Sequence, residues 1–158
     1  MKRPFVALVI AGLLIATAAP TVLAKTTKIE VFGTASPTAY PVPGTMTTYG
    51  SIEVMRGYKD ALASQTNNPM VSGHQEDVVN WIGDTKTNRG VLWGTGVHQT
   101  EYSGGIWHCS FIGMFVDYEH SAWSAKGVCH GAGTLEGWQW RADISCSQNG
   151  GTAMQGSS

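Results

Sequence analysis

His98, His108 and His130 fall on three consecutive segments of alternating sequence and read as one face, so they are the first candidates for metal ligation. A metal site needs close, fixed ligands and a second layer of groups to orient each ring. No two histidines stand four apart, as a helical site would require. The three therefore read as a surface face, and no metal is expected. Acid–base chemistry finds little support. Glu76 and Asp77 are adjacent, which sends them to opposite faces of a strand. Arg141 and Asp143 share a face and read as a surface ion pair worth under about 1 kcal/mol. No Gly-x-Ser-x-Gly occurs. Gly94-Thr95-Gly96, Gly104-Gly105 and Gly131-Ala132-Gly133 lack the strand-to-helix setting of a phosphate loop and read as turns and close-packing points. No catalytic residue and no cofactor is expected.

The cysteines carry a clearer signal. A hairpin turning over Asp117 to His120 and symmetric about Glu119 places Cys109 opposite Cys129 on the same face. A disulfide forms there if the two occupy a non-hydrogen-bonded pair, where cross-strand side chains lie closest. Cys146 competes for the same bond, and three reduced, core-filling cysteines are the alternative.

The elements that must position these groups are marked by tryptophan. Trp93, Trp107, Trp123 and Trp138 recur at intervals of 14, 16 and 15 residues, which a strand of about ten residues plus a hairpin turn fills. Arg89 to Cys146 thus reads as an antiparallel meander. Its strands are expected at Gly90–His98, Ile106–Val116, Ser121–His130 and Leu135–Cys146. Upstream, Lys28–Thr34 reads as a strand and, after a proline-rich loop, Thr45–Tyr58 reads as one long strand or two short ones. Lys59–Ser64 has local helix character, and Met70–Ile82 reads as a strand with a bulge at Gly73. Short connections favour closure, so the expected fold is all-β, a single antiparallel up-and-down barrel of about seven or eight strands, with a β-sandwich as the alternative.

Period-two reading assigns Trp93, Trp107, Cys109, Phe111, Phe115, Trp123, Cys129, Trp138, Trp140 and Ile144 to the core face. His98, His108, Lys126, His130, Gln139, Arg141 and Asp143 fall on the other. Ile106, Ile112, Met114 and Val116 then form an outward apolar stripe of the kind that subunit contacts bury, and a homo-oligomer is an expected partner state. Because neighbouring strands run antiparallel, Trp93 and Trp123 belong to one end of the barrel and Trp107 and Trp138 to the other. Such tryptophans plug a narrow barrel or line a ligand cavity at its mouth. All four are the candidate ligand-binding residues.

The first 24 residues read as a cleaved secretory signal. Lys2 and Arg3 precede the apolar run Phe5–Ile15, and Val22-Leu23-Ala24 offers small residues before Lys25. The barrel domain is expected over 25–147, with a flexible Gly- and Ser-rich tail over 148–158. The protein is then secreted or periplasmic after cleavage near Ala24, where a disulfide can form. Removing Lys2 and Arg3 takes the formal charge from −1 to about −3, which argues against a nucleic-acid partner. Charged residues are only 13% of the chain, beside 20 glycines, a composition suited to short strands and turns rather than helices.

Four segments also carry a likeness. In order they are Asn68–Gly73, Gly90-Val91-Leu92-Trp93-Gly94, Gly104-Gly105-Ile106-Trp107 and His130–Gly137. They resemble uncharacterised secreted bacterial members of the allene oxide cyclase and dirigent-like barrel superfamily, over roughly Thr45 to Ser145. The resemblance implies an eight-stranded barrel, often oligomeric, whose cavity in the named enzymes guides reactive apolar intermediates. It places no functional residue on this chain. Three functions follow as expectations. The first is a non-catalytic binder of a small apolar or aromatic molecule, or an interaction module. The second is a cyclase- or dirigent-type enzyme that shapes a bound intermediate, which would need Glu101, Glu136 or Arg141 to point into the cavity. The third is a small outer-membrane barrel, which the charges opposite the tryptophans disfavour, so no membrane partner is expected.

Overall fold

The computed structural model describes residues 30–39, 41–102, 104–146 and 152–157; the expected signal segment and its cleavage point at Ala24 lie outside them. Among the described residues nine strands follow one another: β1 Glu30–Pro37, β2 Thr45–Tyr49, β3 Ile52–Thr66, β4 Gly73–Asp84, β5 Arg89–Thr100, β6 Gly105–Asp117, β7 Ala122–Gly133, β8 Gln139–Cys146 and β9 Thr152–Ser157. All belong to one antiparallel sheet in the order β1-β9-β8-β7-β6-β5-β4-β3-β2, and β1 pairs with β3 as well as with β9. The ladder therefore returns on itself through eight strands. The barrel expected from the tryptophan spacing is the fold, and the sandwich is not.

Three local expectations are corrected. Lys59–Ser64 is not helical but the middle of β3, because β3 is paired along both edges. It takes β4 over Ile52–Ser64, β2 along its first half and β1 over Leu62–Thr66. Ladder bonds on two sides outweigh the modest helix propensity of Lys, Ala and Leu. The bulge falls in β3 between Met55 and Tyr58 rather than at Gly73. There Gly57 takes a φ of +70°, a conformation costly for a side-chain-bearing residue, and its N–H donates to Asn80 Oδ1 at 3.0 Å. Finally, the expected flexible tail contains β9: Thr152–Ser157 pairs with both β8 and β1. Residues 148–151 and Ser158 of that tail lie outside the described residues.

The interior divides in two. At one end Trp107 and Trp140, each 1% exposed, pack with Val31, Val71, Leu135 and Ala142 into a solid plug. Leu135 reaches it from the turn before β8, not from the strand. At the other end Leu92, Phe115 and Ala125 gather Trp81, Phe111, Tyr118 and Trp123. Cys109 and Cys129 are cross-strand partners on β6 and β7 and form the disulfide, with Cα atoms 4.0 Å apart. Cys146 sits outside that bond, opposite Trp123 on the neighbouring strand. The bond closes a loop of 20 residues, so a Cys109→Ala/Cys129→Ala protein is expected to lose about 3 kcal/mol in urea unfolding. An unchanged midpoint would show that the β6–β7 hairpin is fully specified without it. Persistence of a disulfide points to an oxidising compartment.

The outward stripe is present: Ile112, Met114 and Val116 are more than half exposed, with Val91 beside Met114 across the ladder; Ile106 is half-buried. Asp143 pairs with Lys126 at 2.6 Å on this outer surface, and not with Arg141 as the spacing suggests.

Candidate functional site

Direct pairing fixes which side chains face inward, since residues opposite each other share a face. On β5 the inward set is Gly90, Leu92, Gly94, Gly96 and His98, opposite Phe115, Gly113, Phe111, Cys109 and Trp107 of β6. Trp93 lies opposite Ile112 and so faces outward, where the Arg56 guanidinium covers its ring at 4.7 Å. His98, expected outside, is 1% exposed inside the barrel. Polarity alone points Trp93 inward on β5. The interior there is instead built from glycines: a Cβ on Gly94 would meet the Phe111 ring at 2.4 Å, and one on Gly96 would meet Asp77 Oδ1. Space above β5 is taken by side chains from its neighbours, and a tryptophan cannot enter it.

On β4 the alternation puts Gln75, Asp77, Val79 and Trp81 inside. On β3 the bulge resets the phase, so that Tyr58, Asp60 and Leu62 lie opposite Val79, Asp77 and Gln75. Two carboxyl groups thus stand across one strand pair inside the barrel. Like charges in that position repel. Asp77 is 6% exposed, and both its oxygens accept from Gln75 Nε2 at 2.8 Å. Burial pushes its pKa up to about 7; the Gln75 bonds pull down and the Asp60 charge adds to the rise. Burial raises the Asp60 carboxyl too. Its Oδ1 is shut off from solvent and accepts no hydrogen bond.

These two carboxyls line a cavity of about 730 Å³ that occupies the half of the barrel opposite the plug. Leu62, Val79 and Leu92 form aliphatic wall, and the rings are Tyr58, Trp81, Phe111, Phe115, Tyr118 and Trp123. Edge-to-face contacts tie them together, Tyr58 to Trp81 at 5.4 Å and Phe115 to Tyr118 at 5.0 Å between centroids. Trp81 Nε1 donates to the Tyr118 hydroxyl at 3.1 Å, which in turn donates to Glu53 Oε2 at 2.7 Å. Glu53, Thr85, Glu119 and Ser121 complete the lining. At the rim, Asn88 Nδ2 donates to Asp117 Oδ1 at 2.9 Å while Asn88 Oδ1 accepts from the Glu119 N–H at 2.7 Å, so the β4–β5 and β6–β7 turns are joined.

Of the four tryptophans singled out by spacing, Trp123 alone lines this cavity. Trp107 belongs to the plug, Trp93 to the outer face, and Trp138 is 40% exposed just before β8. Trp107 and Trp138 are level with Gly131 and Trp123 is level with Phe115, while Trp93, opposite Ile112, lies nearer the middle of β5. His108 and His130 are outward cross-strand neighbours, which His98 does not join. Glu101, Glu136 and Arg141 are all exposed, and the cyclisation reading thereby loses the side chains it was tied to. Sequence reasoning missed Asp60, Asp77, Tyr58, Trp81 and Tyr118. The period-two run Tyr58, Asp60, Leu62, Ser64 was the available signal. Comparison with known proteins adds no assignment: no protein-family model matches the chain, and no curated protein matches it.

Proposed function

We propose that the protein is a non-catalytic barrel that binds one small, largely apolar or aromatic molecule in the cavity bounded by Trp81, Phe111, Phe115 and Trp123. The observation that carries this reading is the cavity itself, large enough for a drug-sized molecule and walled mainly by rings. The resemblance to the allene oxide cyclase and dirigent-like barrels supports the same use of a barrel interior. The outward Glu76, Lys126, Arg141 and Asp143 weigh against a barrel immersed in lipid, where such charges cost about 2–4 kcal/mol near the midplane. With its disulfide, the chain fits a secreted or periplasmic protein released by cleavage near Ala24.

The neutral probe N-phenyl-1-naphthylamine tests the reading. It is expected to quench tryptophan emission saturably, through Trp81 and Trp123, and to do so at least tenfold more weakly in Val79→Trp, which fills the cavity from β4. Unchanged emission at saturating probe would count against a ligand cavity.

A further inference from the structure

The cavity is aromatic, and it is also acidic without a basic counterpart. Glu53, Asp60, Asp77 and Glu119 line it, and among its lining residues there is no lysine, arginine or histidine. Glu53 and Asp77 have uncharged donors, the Tyr118 hydroxyl and the Gln75 amide. Asp60 Oδ1 has none and is closed to solvent. Among the described residues neither Asp60 nor Asp77 has an ion-pair partner, and the two face each other across β3 and β4.

From this charge pattern we infer that the ligand carries one positively charged nitrogen, seated between Asp60 and Asp77, on an apolar or aromatic body that fills the ring-walled space above them. The inference rests on the cavity being a ligand site, as proposed above, and adds the chemical class. An ammonium group supplies up to three donors, which matches the unpartnered Oδ1 of Asp60, reached once that carboxyl turns toward the cavity, and the remaining acceptor capacity of Asp77. It also offsets the repulsion that opposes ionising both groups. The rings of Tyr58 and Trp81 line the same cavity and add attraction for a cation that meets their faces. A hydrated divalent metal ion fits less well, because it needs six or more oxygen ligands and the inner-face neighbours of the pair along β3 and β4 are Tyr58, Leu62, Gln75 and Val79.

Two near-isosteres separate the ideas: 2-(1-naphthyl)ethylamine, a cation at pH 7.5, and 2-(1-naphthyl)ethanol, which is neutral. Isothermal titration calorimetry on the oxidised protein is expected to show the amine binding about ten- to a hundredfold more tightly than the alcohol, the range a charge-assisted hydrogen bond supplies. In Asp60→Asn/Asp77→Asn that preference should fall to within about threefold while alcohol binding persists, which also reports that the variant is folded. Equal affinity for amine and alcohol in the unaltered protein would overturn the cation assignment and leave the cavity reading standing. A preference for the amine that survives in the double variant would overturn the role of the two aspartates. Absence of binding by either compound would overturn both the assignment and the ligand site beneath it.

Discussion

Replacing Trp107 with alanine is expected to destabilise the barrel by about 3–5 kcal/mol, the usual cost of removing a fully buried indole. The side chain is 1% exposed, stacks obliquely on Trp140 with centroids 6.4 Å apart, and donates from Nε1 to the Met70 carbonyl at 2.6 Å. Alanine leaves a void in the plug and an acceptor without its donor, both recognised sources of large losses. Thermal unfolding followed by circular dichroism should fall by roughly 10–15 °C for a domain of this size. Trp93→Ala is the matched control. It removes an outward ring whose contact with Arg56 is worth about 0.5–1 kcal/mol, so equal losses at the two positions would refute the assignment of faces.

Asp77→Asn is expected to stabilise the ligand-free protein at pH 8 by on the order of 4 kcal/mol, the cost of holding ionised a carboxyl whose pKa has moved from 3.8 to about 7. The sign follows from proton binding. Between those two values the folded chain keeps a proton that the unfolded chain has released. This contribution is complete below pH 3.8 and is lost as pH rises through 7. Asp60, also raised by burial, acts in the same sense. His98 acts oppositely: burial lowers its pKa from 6.5 to about 4, against the pull of the Ser72 and Val71 carbonyls and with a small contribution from His74. Its contribution is complete above pH 6.5 and is lost as pH falls through 4. Between about pH 4 and 6.5 the Asp77 and His98 slopes oppose each other, and the unaltered protein should show a nearly level melting temperature. In Asp77→Asn the histidine slope is left largely uncompensated, and the melting temperature should climb across that window. Melts at pH 4.5, 6.5 and 8 decide the matter; parallel profiles for the two proteins would refute the titration of Asp77.

Much of the architecture was legible because it rests on repeats that any fold must accommodate. Four tryptophans about fifteen residues apart leave room for a strand and a turn each time, and the symmetry of the Asp117–His120 turn puts Cys109 against Cys129. Faces were harder to read. Trp93 and Trp107 are equally apolar, and only the register, with Gly94 under Phe111, decides which of them is inside. The site was least visible. Asp60 sits in a segment whose composition favours helix, and its inward direction depends on a bulge two residues before Tyr58 that shifts the phase of the strand. Opposition of Asp60 and Asp77 is a tertiary fact, since neither local pattern specifies the pairing of β3 with β4.

The double pairing of β1 also bears on how the chain reaches its native state. From β3 to β8 each strand finds its partner through a turn, so those contacts are short in sequence and cheap in loop-closure entropy. The β1–β9 seam brings Glu30 against Ser157, nearly the whole chain apart. Contacts of such separation slow folding. Closing this seam is therefore the step of the ladder that costs the most loop-closure entropy, and the meander becomes a barrel only when it is made.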